Sequence, residues 1–211
     1  MPDQTGETEC LRSGRFGGPK EGRTVGSGFS RNGFYVEYTL SHSTFPYAAA
    51  VAADNWDPSY FQQTLMGYSN AADKVNGGPA FGSSRRQWEL SAPGFNAEHI
   101  TAPLRKVAQT GGLDVVLSGW EVFTRLRHLK KPVEYFVMPD ADRHGTYNAQ
   151  NPKQILAVQE SCVDWFDFWL NDREDHDPSK TDQYRRWRYL RELNSAGRSA
   201  SQYEQNSGTV Q

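Results

Sequence analysis

The residues best suited to chemistry are Gly28-Phe29-Ser30-Arg31-Asn32-Gly33, a serine framed by glycines where a short strand turns into a helix. This is the layout of a nucleophile elbow. The sharp turn exposes the serine hydroxyl and aims the backbone N–H of the next residue, here Arg31, at a developing oxyanion. A hydroxyl is a weak nucleophile at neutral pH, so it needs an imidazole to take its proton and a carboxylate to orient that imidazole. The glycine expected two places after the serine is replaced by Asn32, with Gly33 one place later. A serine that merely caps the following helix is the competing reading of Ser30.

His144 is the candidate base, because it follows the clearest strand and precedes the best helix late in the chain. The order serine, acid, histidine is that of an α/β-hydrolase. A solvated loop histidine is the alternative. Asp114, after a strand and the turn Thr110-Gly111-Gly112, is the candidate acid. Glu121, further into the next helix, is the second choice, and the reading in which neither is the acid stays open. Asp140, Asp142 and His144 have no metal-ligand spacing, so no metal is expected, and no cofactor is expected either. His42, His99, His128 and His176 receive no role.

These residues require a particular set of elements. Weak strand character at 23–28 is followed by an apolar helix over 32–40. The run FPYAAAVAA (45–53) reads as a strand covered on both faces. Residues 54–100, dense in Gly, Asn, Ser and aromatics, form a long excursion, either helical and lying over a site or a variable insertion. A strand is expected near 103–109, a helix over 117–129 and a strand over 132–138. Asn151 and Pro152 then open a long helix with a stripe of Ile155, Val158, Cys162, Trp165, Phe166 and Trp169. This alternation predicts an α/β fold with a parallel sheet, whose sites lie at the carboxyl ends of the strands. Ser30, Asp54, Asp114 and His144 all follow strands at that end. The expected domain organisation is an irregular N-terminal tail (1–22), a partial hydrolase domain (23–193) and a disordered C-terminal tail (194–211).

Composition narrows the partners. The chain has 211 residues, a net charge of −2 and 36% hydrophobic residues, without a basic stripe, so a nucleic-acid or membrane-surface partner is not expected. A peptide or small-molecule substrate is, and the oligomeric state stays open. Cys10 and Cys162 lie far apart in unlike surroundings and read as free thiols. With no signal-type segment at its start, the chain as given is expected to be cytoplasmic, although a full-length relative could be exported.

The chain resembles the catalytic domain of prolyl-oligopeptidase-type serine peptidases, an α/β-hydrolase family, and within it the branch that includes lasso-peptide isopeptidases. The carrying residues are the elbow at Gly28–Gly33, Ile100-Thr101-Ala102-Pro103-Leu104, Lys130-Lys131-Pro132-Val133-Glu134 with Leu126, Met138-Pro139-Asp140 and His144-Gly145. The most specific stretch is Val163-Asp164-Trp165-Phe166-Asp167-Phe168-Trp169-Leu170 with Gln183-Tyr184-Arg185-Arg186-Trp187. The resemblance spans about residues 23–193. It implies Ser30 as nucleophile, His144 as general base and the Arg31 N–H as one oxyanion donor. The family's catalytic domain has several strands before the elbow and normally a β-propeller before those. The resemblance therefore implies a hydrolase sheet truncated on its N-terminal side, with an exposed edge and the helix after Ser30 uncovered on one side.

Three functional expectations follow. The first is a serine hydrolase, a peptidase or isopeptidase acting through an acyl-enzyme on Ser30 with His144 as base. The second is a catalytically impaired or inactive fragment of that fold, with a binding role or none, since losing one oxyanion donor costs about 10²- to 10³-fold in turnover. The third is a carboxylic ester hydrolase using the same residues.

Overall fold

The computed structural model describes residues 24–55, 73–74, 77–108, 113–138 and 152–207, the side chains of 114 and 197–207 excepted. Four strands, β1 (Thr24–Phe29), β2 (Tyr47–Ala53), β3 (Leu104–Ala108) and β4 (Val133–Val137), form a sheet in the order β1-β2-β3-β4. Every pairing is parallel, with Ala50 opposite Leu104 and Lys106 opposite Tyr135. The expected parallel sheet with flanking helices is therefore present. All four carboxyl ends lie along one border, the placement that open parallel sheets use for sites.

Side chains alternate between the two faces of each strand, and the apolar ones sort into two clusters accordingly. On one face Ala50, Ala52, Leu104 and Val133 pack against Leu40 of helix α1 (Arg31–His42) and against Val122 and Leu126. On the other, Ala49, Val51, Ala53 and Val107 pack against Val158, Trp165 and Phe168 of helix α5 (Pro152–Asn171) and Tyr184 and Trp187 of helix α6 (Thr181–Ser207). Alanine dominates β2 because helices cover both of its faces closely. Trp165 Nε1 donates to the Ala50 carbonyl at 3.1 Å, which gives the buried indole nitrogen a partner.

In the 54–100 excursion, the described residues from Gly82 to His99 are mostly helical. Between 3₁₀ segments at Gly82–Ser84 and Pro93–His99 lies α2 (Arg85–Ser91), whose Trp88 is buried and donates to the Gly78 carbonyl at 2.8 Å. The single helix expected over 117–129 is two, α3 (Leu113–Ser118) and α4 (Trp120–His128), separated at Gly119. A Cβ on Gly119 would lie 2.6 Å from the Tyr135 hydroxyl, so a tight packing contact sits at the break. The stretch read as a disordered tail from 194 is helical backbone as far as Ser207, because α6 continues through it. Cys162 is a free thiol, and Cys10 lies outside the described residues. Among the described residues no helix is long and apolar enough to cross a membrane.

Among the described residues β1 is an edge strand, paired only with β2. Among the described residues Tyr35 and Tyr38 of α1 are also exposed, as are Phe29 at the end of β1 and Phe45 just before β2.

Candidate active site at the sheet border

Ser30 stands between the last residue of β1 and the first of α1, with φ 56° and ψ −126°. A serine does not adopt this conformation in either a strand or a helix. Its N–H still donates to the Ala53 carbonyl at 2.8 Å, as if the β1–β2 ladder ran one residue further, while its carbonyl already accepts from the Gly33 N–H at 3.0 Å. The residue therefore belongs to both elements and turns sharply between them. Its hydroxyl makes no capping hydrogen bond to α1, so the plain helix-cap reading has no support from the geometry.

Two glycines make the turn possible. A Cβ on Gly28 would lie 2.3 Å from the Asn32 carbonyl oxygen and 2.6 Å from the Gly33 nitrogen, so the strand passes directly against the first turn of α1. A Cβ on Gly33 would meet the Asn55 Cβ at 2.5 Å. The residue that must be small against the turn after β2 is thus Gly33, whereas Asn32 is exposed. The shifted glycine serves the close approach that the usual spacing assigns to the position before it. Arg31 opens α1 with its side chain exposed and its guanidinium 5.7 Å from the Tyr35 ring centroid.

Asp54 and Asp114 follow β2 and β3, strands whose carboxyl ends lie on this same border. Asp54 follows β2 with φ 44° and donates its N–H to the Val107 carbonyl at 2.8 Å. Asp114 is the second residue of α3, the helix that follows β3; its side chain lies outside the described residues. His144 lies outside them altogether. Glu121 is buried at the start of α4, in an ion pair with Arg125 at 2.6 Å and against Gly94. Its carboxylate thus faces the Pro93–His99 segment. Among the described residues no group of three His, Cys, Asp or Glu side chains is gathered as metal ligands would be.

Two charges close to this border had no place in the reading of the sequence. Lys106 on β3 and Glu37 on α1 are both fully buried and form an ion pair. Their signal in the sequence is a lone carboxylate within FYVEYTL and a charged pair within LRKVA. On the opposite face Arg105 pairs with Glu134 at 2.5 Å and stacks on Trp187. Burial lowers the Arg105 pKa from its ordinary value, and the Glu134 carboxylate offsets part of that effect.

No protein-family model matches the chain. Lasso peptide isopeptidase AtxE2 of Asticcacaulis excentricus is 30% identical over 176 residues, which are 79% of this chain and 23% of that protein. A solved structure of an AtxE2 isopeptidase variant with Astexin3-dC4 bound superposes with a TM-score of 0.66 at 29% identity, covering 82% of this chain and 26% of that one. Acylaminoacyl peptidase from Pyrococcus horikoshii matches at a TM-score of 0.57 and 18% identity, over 76% of this chain and 26% of that one, a likeness of fold. The chain spans about a quarter of the length of these relatives. In sequence the chain is homologous to lasso peptide isopeptidase AtxE2, and in structure it matches the α/β-hydrolase-type peptidases of the prolyl oligopeptidase family.

Proposed function

We propose that the chain carries the nucleophile part of a serine peptidase or isopeptidase. In this reading Ser30 attacks a peptide or isopeptide carbonyl, His144 takes the hydroxyl proton and later returns it to the leaving amine, and Asp114 orients the imidazole. The Arg31 N–H is one donor to the tetrahedral oxyanion. The observation that carries the reading is the backbone of Ser30, strained between a parallel strand and a helix at the carboxyl border of the sheet. Similarity to a lasso peptide isopeptidase adds the substrate class, a peptide carrying an amide link to a side chain.

An active-site fluorophosphonate tests the assignment. The expected result is one modified residue, Ser30, with labelling lost in Ser30→Ala and in His144→Ala. Labelling that persists in Ser30→Ala sinks it. Activity on peptide amides then separates the peptidase from an ester hydrolase that acts only on activated esters.

A further inference from the structure

Among the described residues the Glu37–Lys106 pair is the most completely buried ion pair, and the proposed chemistry leaves it unused. Both side chains are fully buried, Lys106 Nζ donates to Glu37 Oε1, and Glu37 Oε2 has no hydrogen-bond partner among the described residues. Taking two charges out of water is costly, and an apolar pair of similar volume commonly packs there at least as well. What an ion pair adds is direction. Apolar burial is non-directional, whereas a buried hydrogen-bonded pair demands a set distance and angle between the elements that carry it.

The location gives that property a use. Glu37 lies two turns along α1 from Ser30, on the helix that forms the C-terminal arm of the elbow. Lys106 lies on β3, two residues before the strand ends and the chain leads to Asp114. Beside Lys106 in register is Tyr135, whose hydroxyl donates to the Val116 carbonyl of α3 at 2.8 Å. Gly119, just after α3, packs against both: a Cβ there would lie 2.6 Å from the Tyr135 hydroxyl and 3.0 Å from Lys106 Cε. One contiguous set of contacts therefore runs from the nucleophile's helix through Lys106 and Tyr135 to the helix that carries Asp114.

We infer that Glu37, Lys106 and Tyr135 are positioning residues that fix the helix behind Ser30 relative to the helix holding Asp114. The inference rests on the reading of Ser30 as nucleophile and Asp114 as acid, and its test separates the two. The double substitution Glu37→Leu with Lys106→Met removes both charges while keeping an apolar fill. The full chain is then compared with its parent by hydrogen exchange and by fluorophosphonate kinetics. The expected result is a retained unfolding midpoint, at least tenfold faster exchange of the amides at 113–118, and a maximal labelling rate about tenfold lower at an unchanged half-saturating probe concentration. Simple destabilisation would instead lower the labelled fraction. Tyr135→Phe, which removes only the hydroxyl, is expected to change the same two quantities in the same direction, and it serves if the double variant does not fold. Unchanged exchange at 113–118 together with an unchanged labelling rate overturns the inference. A parent chain that takes no label at Ser30 overturns the nucleophile reading instead, and exchange at 113–118 then still decides whether the helices are coupled.

Discussion

Ser30 is held in a conformation that costs a non-glycine residue of the order of 1–3 kcal/mol, and its neighbours keep it there. The ladder bond to Ala53, the Gly33 bond to its carbonyl and the two glycine contacts together leave the turn little freedom. Gly28→Ala drives a methyl group into backbone that cannot move independently of the elbow. The expected outcome is destabilisation of about 1–3 kcal/mol and a fall in fluorophosphonate labelling of roughly 10²-fold, read by chemical denaturation and labelling kinetics on the same preparation. Asn32→Gly, by contrast, restores the usual spacing at an exposed position. It should leave the labelling rate within about twofold of the parent and cost about 0.5–1 kcal/mol for a helical glycine. The residue types at the elbow were legible because chemistry restricts them. The role of Gly33 was not, because it depends on where Asn55 lies, a matter of how α1 packs against the turn after β2. Cys162 gives a further residue-scale outcome. Burial raises its thiol pKa, with Arg105 opposing that only in part. It should therefore be alkylated by iodoacetamide more slowly than a free thiol at pH 8, and at the free-thiol rate once the chain is unfolded.

Between α5 and α6 the chain turns on side-chain carboxylates rather than on apolar contacts. Asp175 accepts from Lys180 Nζ at 2.7 Å and from the Asp177 N–H at 3.0 Å, while Asp177 caps the 3₁₀ turn at Pro178–Lys180 through the Ser179 N–H at 2.8 Å. The hydrogen bond from Lys180 is the main cause that lowers the Asp175 pKa, and the Ser179 N–H is the main cause that lowers that of Asp177. A carboxylate depressed on folding contributes stability above its unfolded pKa of about 3.9 and loses it as pH falls through the folded value. The start of α6 should therefore keep its amide protection from neutral pH down to about pH 4 and fray below that; a scan of hydrogen exchange at Thr181 to Gln183 against pH reads this directly. Strand β4 was legible from its β-branched and aromatic residues, and β2 from its unbroken small-apolar run. The extent of α6 was not. Beyond Leu190 its only apolar side chains are Leu193, Ala196, Ala200 and Tyr203, so the hydrophobic signal that marks a helix weakens well before the helix ends. The break at Gly119 was equally hidden, since the contact there involves a tyrosine hydroxyl on a strand still to come.

At the scale of the molecule, the described residues form two unlike layers on the two faces of one sheet. The α1 side is closed by aliphatic packing and the Glu37–Lys106 pair, the α5–α6 side by aromatic rings and the Arg105–Glu134 pair. Trp187 links three elements of the second half: it is buried, donates to Glu134 at 2.9 Å and lies edge-on to Trp165 at 5.2 Å between ring centroids. Trp187→Ala should cost about 3–5 kcal/mol, and equilibrium denaturation followed by circular dichroism measures it. Trp187→Phe should cost less, because it keeps most of the fill and loses chiefly the bond to Glu134. The edge-on pair of Trp165 and Trp187, with Trp169 at 5.4 Å from Trp165, has an optical consequence as well. Indoles held this close at fixed angles couple their electronic transitions, and indoles kept from water emit at shorter wavelength. Release of α5 and α6 from the sheet would abolish the coupled near-ultraviolet dichroism and shift the emission to the red, so the protein carries its own dye-free gauge of whether its last two helices are in place.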